Sequence, residues 1–392
     1  MKKILSILLV LAVSGCASAS QTHAYDWTIA FADTGQDGTM ITWYDDAYQC
    51  IGTQMLNGKG LAGPAGGSDA MIGYDAQYAY ILPQTDTPRN PDDCGIVRMS
   101  LQNGTIDILQ TESYSNLLLA VNDKAVVIEQ RSDDLQYYRT VLPKDGSEAS
   151  ILKDGRFGMQ YYALKDGWLV REGLPSLWVY AMNEHFRTYA EAEMGDDGSP
   201  VHFPTMDGWR MDGAKLLQYG NKAYIPCMKE NRTYTKDADG YYQSSFEGYS
   251  YGLMELDINT LSYAVHEMDN RYFTDILPLS DNEILLLCVS VTMQTKDAES
   301  GQHYSYDRSP QKLVVYDTAS QEFSDFETVY EPLQCVMSKD TLYIRDTKGI
   351  IHVIDIASHK ERTSFHHTAS ITPSSWGIGT MMIVQDPMET LR

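Results

Sequence analysis

Several features that would each point to a class are scarce or missing in this chain of 392 residues. Its six cysteines include no CxxC pair and no Cys/His cluster at zinc spacing, so the thiols give no structural zinc site. Positive charge is scarce: 30 Lys and Arg stand against 53 Asp and Glu, a formal net charge of −23. Such a surface repels phosphate backbones and anionic lipid heads, which argues against nucleic acid as a partner and favours cations or basic partners. Beyond the first residues no stretch is apolar for long enough to be a transmembrane helix. No HExxH or Walker loop occurs, and Asp and Glu are too numerous to single out a pair for glycoside cleavage. No catalytic residue, metal ligand set or cofactor is therefore expected.

The start of the chain is informative. MKKILSILLVLAVSGC carries two lysines, an apolar run from Ile4 to Val13, and the small residues Ser14 and Gly15 before Cys16. That is the pattern of a secretory signal. Val13-Ser14-Gly15-Cys16 resembles the bacterial lipobox. The resemblance implies cleavage before Cys16, which would carry lipid on its thiol and new amine, with the protein anchored to a membrane on its extracytoplasmic side. Acyl chains contribute about 0.8 kcal/mol per buried CH₂, enough for stable anchoring when two or three are attached. Losing Lys2 and Lys3 with the leader would bring the charge to about −25. Of the other cysteines, Cys227, Cys288 and Cys335 lie in apolar runs and read as small buried hydrophobes. A Cys50–Cys94 disulfide is open in this compartment.

The body of the chain is organised around Leu333 to Phe365, LQCVMSKDTLYIRDTKGIIHVIDIASHKERTSF. Its alternating, β-branched and aromatic runs, bounded by Ser, Lys, Asp and Gly, predict four antiparallel strands. One such sheet cannot bury both faces alone. The first-hairpin pattern recurs as MIGYDAQYAYIL, LLLAVNDKAVVIEQ, MQYYALKDGWLVRE, KLLQYGNKAYIPC, DILPLSDNEILLLC, LQCVMSKDTLYIRD and SSWGIGTMMIVQD. A second hairpin follows most copies, beginning at Gly95, Tyr137, Leu177, Gly252, Lys312 and Ile350. The spacing of about 40 to 60 residues suits propeller blades. The last copy has almost no chain after it, whereas Trp27 to Thr53 supplies strands with no hairpin before them. The expectation is an all-β, seven-bladed β-propeller closed by N- and C-terminal strands sharing one blade. The expected division is 1–15 leader, 16–26 lipidated cysteine and tether, and 27–392 propeller. The repeat resembles the YVTN and quinoprotein-like propeller families in LMELDINTLS and IHVIDIASHK, which share a hydrophobic-Asp-x-x-Ser/Thr turn. The Gly and Trp that close the quinoprotein signature do not follow, so the resemblance implies no quinone.

In a propeller, connections from the second to the third strand and from the last strand to the next blade emerge on one face. Long connections on that face are predicted at Ala192 to Asp212, Met228 to Tyr249 and Thr292 to Pro310, with Pro83 to Asp93 farther round. They are rich in aromatic and polar residues. Trp209, Tyr234, Tyr241, Tyr242, Phe246, Tyr249, His303, Tyr304, Tyr306 and Arg308 are the candidate ligand-binding residues, since Tyr offers broad amphipathic contact at low entropic cost. A glycan or an extracellular protein would suit them, as would a structural cap with no ligand. The reading is a membrane-anchored, extracytoplasmic binding or scaffold module. The alternatives are a carbohydrate-active enzyme and a solute-capture lipoprotein. Asp33 to Gly38 and Asp237 to Gly240 read as hairpin turns, His366-His367 as a solvated loop, and Trp43, Trp168, Trp178 and Trp376 as blade packing.

Overall fold

A computed structural model describes residues 24–35, 38–57, 72–82, 95–109, 115–131, 136–154, 160–165, 167–172, 178–183, 208–211, 215–236, 242–268, 270–298, 301–368 and 379–387. Every regular element among them is a β-strand. The chain opens with β1 (Ile29–Gly35), β2 (Gly38–Tyr44) and β3 (Cys50–Asn57). The first full meander is β4 (Ile72–Tyr74), β5 (Tyr78–Ile81), β6 (Ile96–Ser100) and β7 (Ile106–Leu109). The second is β8 (Ser115–Val121), β9 (Ala125–Arg131), β10 (Tyr137–Pro143) and β11 (Ser150–Asp154). The third sheet has β12 (Gln160–Leu164), β13 (Gly167–Glu172) and β14 (Trp178–Asn183).

In the fourth sheet the innermost strand is split. β15 (Trp209–Met211) and β16 (Leu217–Tyr219) both pair with β17 (Lys222–Lys236), which leads to β18 (Tyr242–Asp257) and β19 (Tyr263–Glu267). The fifth sheet runs β20 (Arg271–Pro278), β21 (Glu283–Ala298), β23 (Lys312–Asp317) and β24 (Glu322–Phe326), with β22 (Gly301–Arg308) pairing the far half of β21. The sixth is β25 (Pro332–Ser338), β26 (Thr341–Asp346), β27 (Ile350–Asp355) and β28 (Lys360–His366), the four strands expected there. Burial falls outward across it: β26 is almost wholly buried and β28 almost wholly exposed.

β29 (Gly379–Val384) pairs antiparallel with β1, Ile29 opposite Val384 and Thr34 opposite Gly379. The two ends therefore share one sheet, as expected, with three strands from the N-terminal side and one from the C-terminal side. The expected seventh inner hairpin is met by β29 alone, and its first half lies outside the described residues. Six of the seven sheets have the four strands of a complete blade, while the third has three. Complete blades among the described residues thus number six rather than the expected seven. The strand pattern from Leu177 is met from Trp178 to Asn183, and its second half lies outside the described residues.

Apolar side chains from facing sheets interlock between neighbours. Trp43, Ile81, Ile96 and Val126 join the closing sheet to the first and second. Val127 and Trp168 share one apolar cluster, as do Leu169 and Ile225, Leu253 and Leu286, Leu285 and Leu342, and Val353 with Phe31 and Met382. That series returns to the closing sheet, which makes the arrangement a propeller. Each buried side chain of this size contributes about 1.5–3 kcal/mol. Trp43 and Trp168 are packing residues, as expected, and Cys227, Cys288 and Cys335 are buried thiols, with burial pushing Cys288 up to about 11. Cys50 is an exposed free thiol, and Cys94 lies outside the described residues.

Antiparallel strands send successive connections to opposite faces. On the face of the first-to-second-strand turns, polar groups staple one sheet to the next. Lys144 Nζ donates to Asp75 Oδ2 and to the Asn122 carbonyl, both at 2.5 Å. Asn122 Nδ2 donates to the Leu164 and Gly167 carbonyls, while its Oδ1 caps its own turn at Lys124 N and Ala125 N. Gln218 Oε1 accepts from Lys165 N, and the Tyr219 hydroxyl lies 3.2 Å from the Ser280 and Glu283 carbonyls. The shared Asp-x-x-Ser/Thr turns lie on this face too. Asp257, Asp317 and Asp355 each accept from the backbone N–H three residues on, and the residues four on, Leu261, Gln321 and His359, take positive φ of 57°, 61° and 54°.

Candidate binding surface

The opposite face carries the second-to-third-strand connections. Between β26 and β27 this is a tight turn, but in the fourth and fifth sheets the chain continues as strand. β17 pairs with β18 over their whole length, beyond Lys229, where β15 stops, and beyond Gly252, where β19 stops. β21 likewise leaves its blade after Ser290 and pairs with β22 from Val291 to Ala298. The segments predicted as loops at Met228–Tyr249 and Thr292–Pro310 are thus two-stranded β-ribbons. In the first ribbon Arg232, Thr233, Thr235 and Lys236 are all exposed, so both sides of the strand meet solvent and the hydrophobic alternation that marks a half-buried strand is erased. At about 3.3 Å per residue, Glu230 to Lys236 carries the first ribbon roughly 20 Å outward.

The root of that ribbon is ordered by a bulge. Asn231 pairs with Gly248 but Arg232 with Phe246, so Glu247 is an extra residue in β18. Regular alternation would set Phe246 and Tyr249, three apart, on opposite sides; the extra residue brings them to one side. Their rings meet edge to face at 5.0 Å. Tyr249 continues to Tyr251 at 6.2 Å, and Tyr251 to Tyr272 of β20 at 5.7 Å, so the row of rings passes from the fourth sheet to the fifth.

Cations line the same row. The Arg232 guanidinium lies 5.5 Å over the Phe246 ring, Arg210 lies 6.0 Å over Tyr249, and Lys229 Nζ 6.0 Å over Trp209. Glu230 stands between the two arginines, accepting from Arg232 Nε at 2.9 Å and lying 3.6 Å from Arg210 Nη1. Arg210 Nη2 also points at the Met228 sulfur at 3.2 Å. Each exposed cation–ring contact contributes about 0.5–1 kcal/mol and fixes where the charge sits.

The candidate residues distribute unevenly on this surface. Phe246 and Tyr249 are in the row and half-buried. Trp209 is instead a buried strand residue in the core between the third and fourth sheets, placed there because β15 completes the inner edge of β17. Tyr234 and Tyr242 lie on the ribbon strands, and His303, Tyr304, Tyr306 and Arg308 lie on β22 opposite Lys296, Thr295, Met293 and Val291. The side chains of those six, and Cys16 and Tyr241 entirely, fall outside the described residues. Arg210, Lys229, Arg232, Tyr251 and Tyr272 were not singled out from the sequence; Tyr249-Ser250-Tyr251 carried a usable alternation, but the cations needed the register.

A second polar cluster lies on this face at the closing seam. His367, expected in a solvated loop, is buried: its Nε2 is 2.8 Å from Asp33 Oδ2, its Nδ1 3.0 Å from the Tyr44 hydroxyl, and its ring stacks on Phe31 at 3.9 Å. The Asp33 carboxylate accepts, so Nε2–H donates to it. Thr380 Oγ1 of β29 donates to the other oxygen of Asp33 at 2.8 Å. Burial pushes the Tyr44 hydroxyl above its ordinary value. Asp33, read as part of a turn, is a strand residue of the seam, while His366 beside it is exposed. Among the described residues no three His, Cys, Asp or Glu side chains group to hold a metal ion.

No family model and no curated protein matches the chain. Among solved structures it is similar to apo AztD from Citrobacter koseri, at 10% identity over 92% of this chain and 99% of that one with a TM-score of 0.47. It is also similar to BamB from Moraxella catarrhalis, at 13% identity over 89% and 85% with a TM-score of 0.42. TolB from Acinetobacter baumannii aligns at 8% identity over 86% and 79%, TM-score 0.38.

Proposed function

We propose that this chain is a membrane-anchored extracytoplasmic β-propeller lipoprotein, held by lipid on Cys16, with residues 1–15 as leader, 16–26 as tether and 27–392 as the propeller. It acts as a non-enzymatic binding module whose ligand, a glycan or an extracellular protein, sits on the ribbon face. The row of Phe246, Tyr249, Tyr251 and Tyr272 with its flanking cations carries this reading, because it combines amphipathic rings and fixed donors on a rigid support.

A glycan and peptide array probed with residues 20–392 tests the binding reading. Binding is expected from the unsubstituted chain, with loss in Phe246→Ala/Tyr249→Ala and weakening in Tyr304→Ala/Tyr306→Ala. Binding that survives both pairs refutes the assignment to this face. For the anchor, labelled palmitate is expected in the full chain expressed in a bacterium and absent from Cys16→Ser; equal labelling removes the anchor.

A further inference from the structure

We infer that the ribbon-face end of the closing seam holds a site for a small carboxylate, bound by Arg345 together with Gln334. The site lies apart from the aromatic row and does not depend on it. Gln334 of β25 and Arg345 of β26 are direct cross-strand partners, so both side chains stand on one side of the sixth sheet. Val336 and Tyr343 are the next such pair on that side. Tyr343 shares an apolar cluster with Phe31 and Met382 of the closing sheet, and Val336 packs against it. Gln334 and Arg345 therefore face the seam, one step nearer the ribbon face than that cluster. On the closing sheet the matching step is Asp33 paired with Thr380, next after Phe31 paired with Met382.

The polar groups of this pair are unspent. Gln334 is only 8% exposed and its Oε1 has no hydrogen-bond partner, and the enclosed Nε of Arg345 has none either. Neither side chain joins an ion pair or a hydrogen bond among the described residues. Burial pushes the Arg345 guanidinium down, while the Asp33 and Asp346 carboxylates act to raise it. Those carboxylates are already taken. Asp33 accepts from His367 and Thr380, and Asp346 Oδ1 accepts from Lys348 N and Ile350 N while its Oδ2 lies 3.5 Å from His352 Nε2. The seam thus holds a guanidinium in place by charge and leaves its donors unmet, a costly arrangement in a fold that satisfies its other seam groups. A carboxylate answers it. Two oxygens match the guanidinium fork, and the Gln334 amide, which no bond holds in one orientation, can turn an N–H toward the same ligand. Asp33 and Asp346 oppose the second charge of a phosphate, and the enclosure of Gln334 favours an acid of acetate size.

The test is modification of the full chain by phenylglyoxal, with labelling of Arg345 followed by mass spectrometry. The probes are acetate, acetamide and inorganic phosphate, each brought to one ionic strength with sodium chloride, and sodium chloride alone is the reference. Arg345 is expected to label, and saturating acetate to slow its labelling at least about threefold while labelling of the paired Arg98 stays unchanged. Acetamide is expected to have no effect and phosphate a weaker one. Gln334→Glu keeps the shape of the side chain and sets a carboxylate beside Arg345. It is expected to slow labelling with no acetate present and to make added acetate ineffective, with circular dichroism confirming the fold. An Arg345 that does not label is out of reach of any ligand and overturns the inference. Slowing by acetate no greater than by chloride, or matched by acetamide or phosphate, overturns it too, as does labelling in folded Gln334→Glu as fast as in the parent.

Discussion

The two faces of this propeller use polar residues in opposite ways. On the face of the first-to-second-strand turns, Asn122, Gln218, Tyr219 and Lys144 reach from one sheet into the next, and Asp257, Asp317 and Asp355 close their own turns. Those groups are spent within the fold. On the other face the chain runs outward in ribbons, and aromatic and cationic side chains are gathered at the root of the first, with Arg232 over the Phe246 ring and bonded to Glu230. The difference teaches that polarity alone does not mark a site: a polar group satisfied by its neighbours stabilises, while one held in place yet reachable can recognise. The seam cluster of His367, Asp33, Tyr44 and Thr380 sharpens the point, because it lies on the ribbon side but is buried and belongs with the staples.

The strongest test of this contrast is at the seam. His367→Ala leaves the buried Asp33 carboxylate without its main partner and should destabilise the chain by about 3 kcal/mol, read as a lowered urea midpoint with faster hydrogen exchange in β29. A change under about 0.5 kcal/mol would remove the seam from the stapled class. Asn122→Ala deletes four hydrogen bonds across two sheets and should cost about 2 kcal/mol, with array binding unchanged.

Phe246→Ala/Tyr249→Ala should show the reverse: stability within about 1 kcal/mol of the parent, with binding lost. A collapse in stability there would make the row a structural cap. For the turn carboxylates the sign follows from hydrogen bonding. Thr260 N–H holds Asp257 below the ordinary carboxylate value, Ser320 N–H does so for Asp317, and the Ser358 hydroxyl with Arg362 brings Asp355 to about 2. Each contributes stability above its unfolded value near pH 4 and loses it as pH falls through the folded value. The urea midpoint should therefore drop between about pH 4 and pH 2, and Asp257→Asn/Asp317→Asn/Asp355→Asn should flatten that drop while keeping the turns. The smallest effect is expected from Gln321→Gly, which relieves a φ of 61° and should raise stability by about 0.5 kcal/mol, because the gain is partly offset by a more flexible unfolded chain.

Much of the scaffold was legible in advance for a physical reason. Strands buried on at least one face must alternate or run apolar, and turns must use residues that tolerate tight backbone, so LYIRD and IIHVIDI announced β26 and β27 within a residue or two. The sharing of one sheet by both ends followed from an unmatched hairpin at each terminus. The ribbons were read as loops because a strand exposed on both sides carries no burial signal. Trp209 was misplaced for the converse reason: among polar neighbours it looked available, yet β15 pairs with β17 and buries it. His367 gave no local hint, since its partners Asp33 and Tyr44 are more than 300 positions away.

By itself the sequence determined most strands of the blades, the acidic composition and the closing of the ring by its two ends, because all of these arise from local pattern and composition. Tertiary structure alone decided which charges meet. A single extra residue at Glu247 turned Phe246 to the side of Tyr249, and register brought Arg232 over its ring. Pairing register and long-range contact depend on the whole closed ring, and no window of sequence contains them.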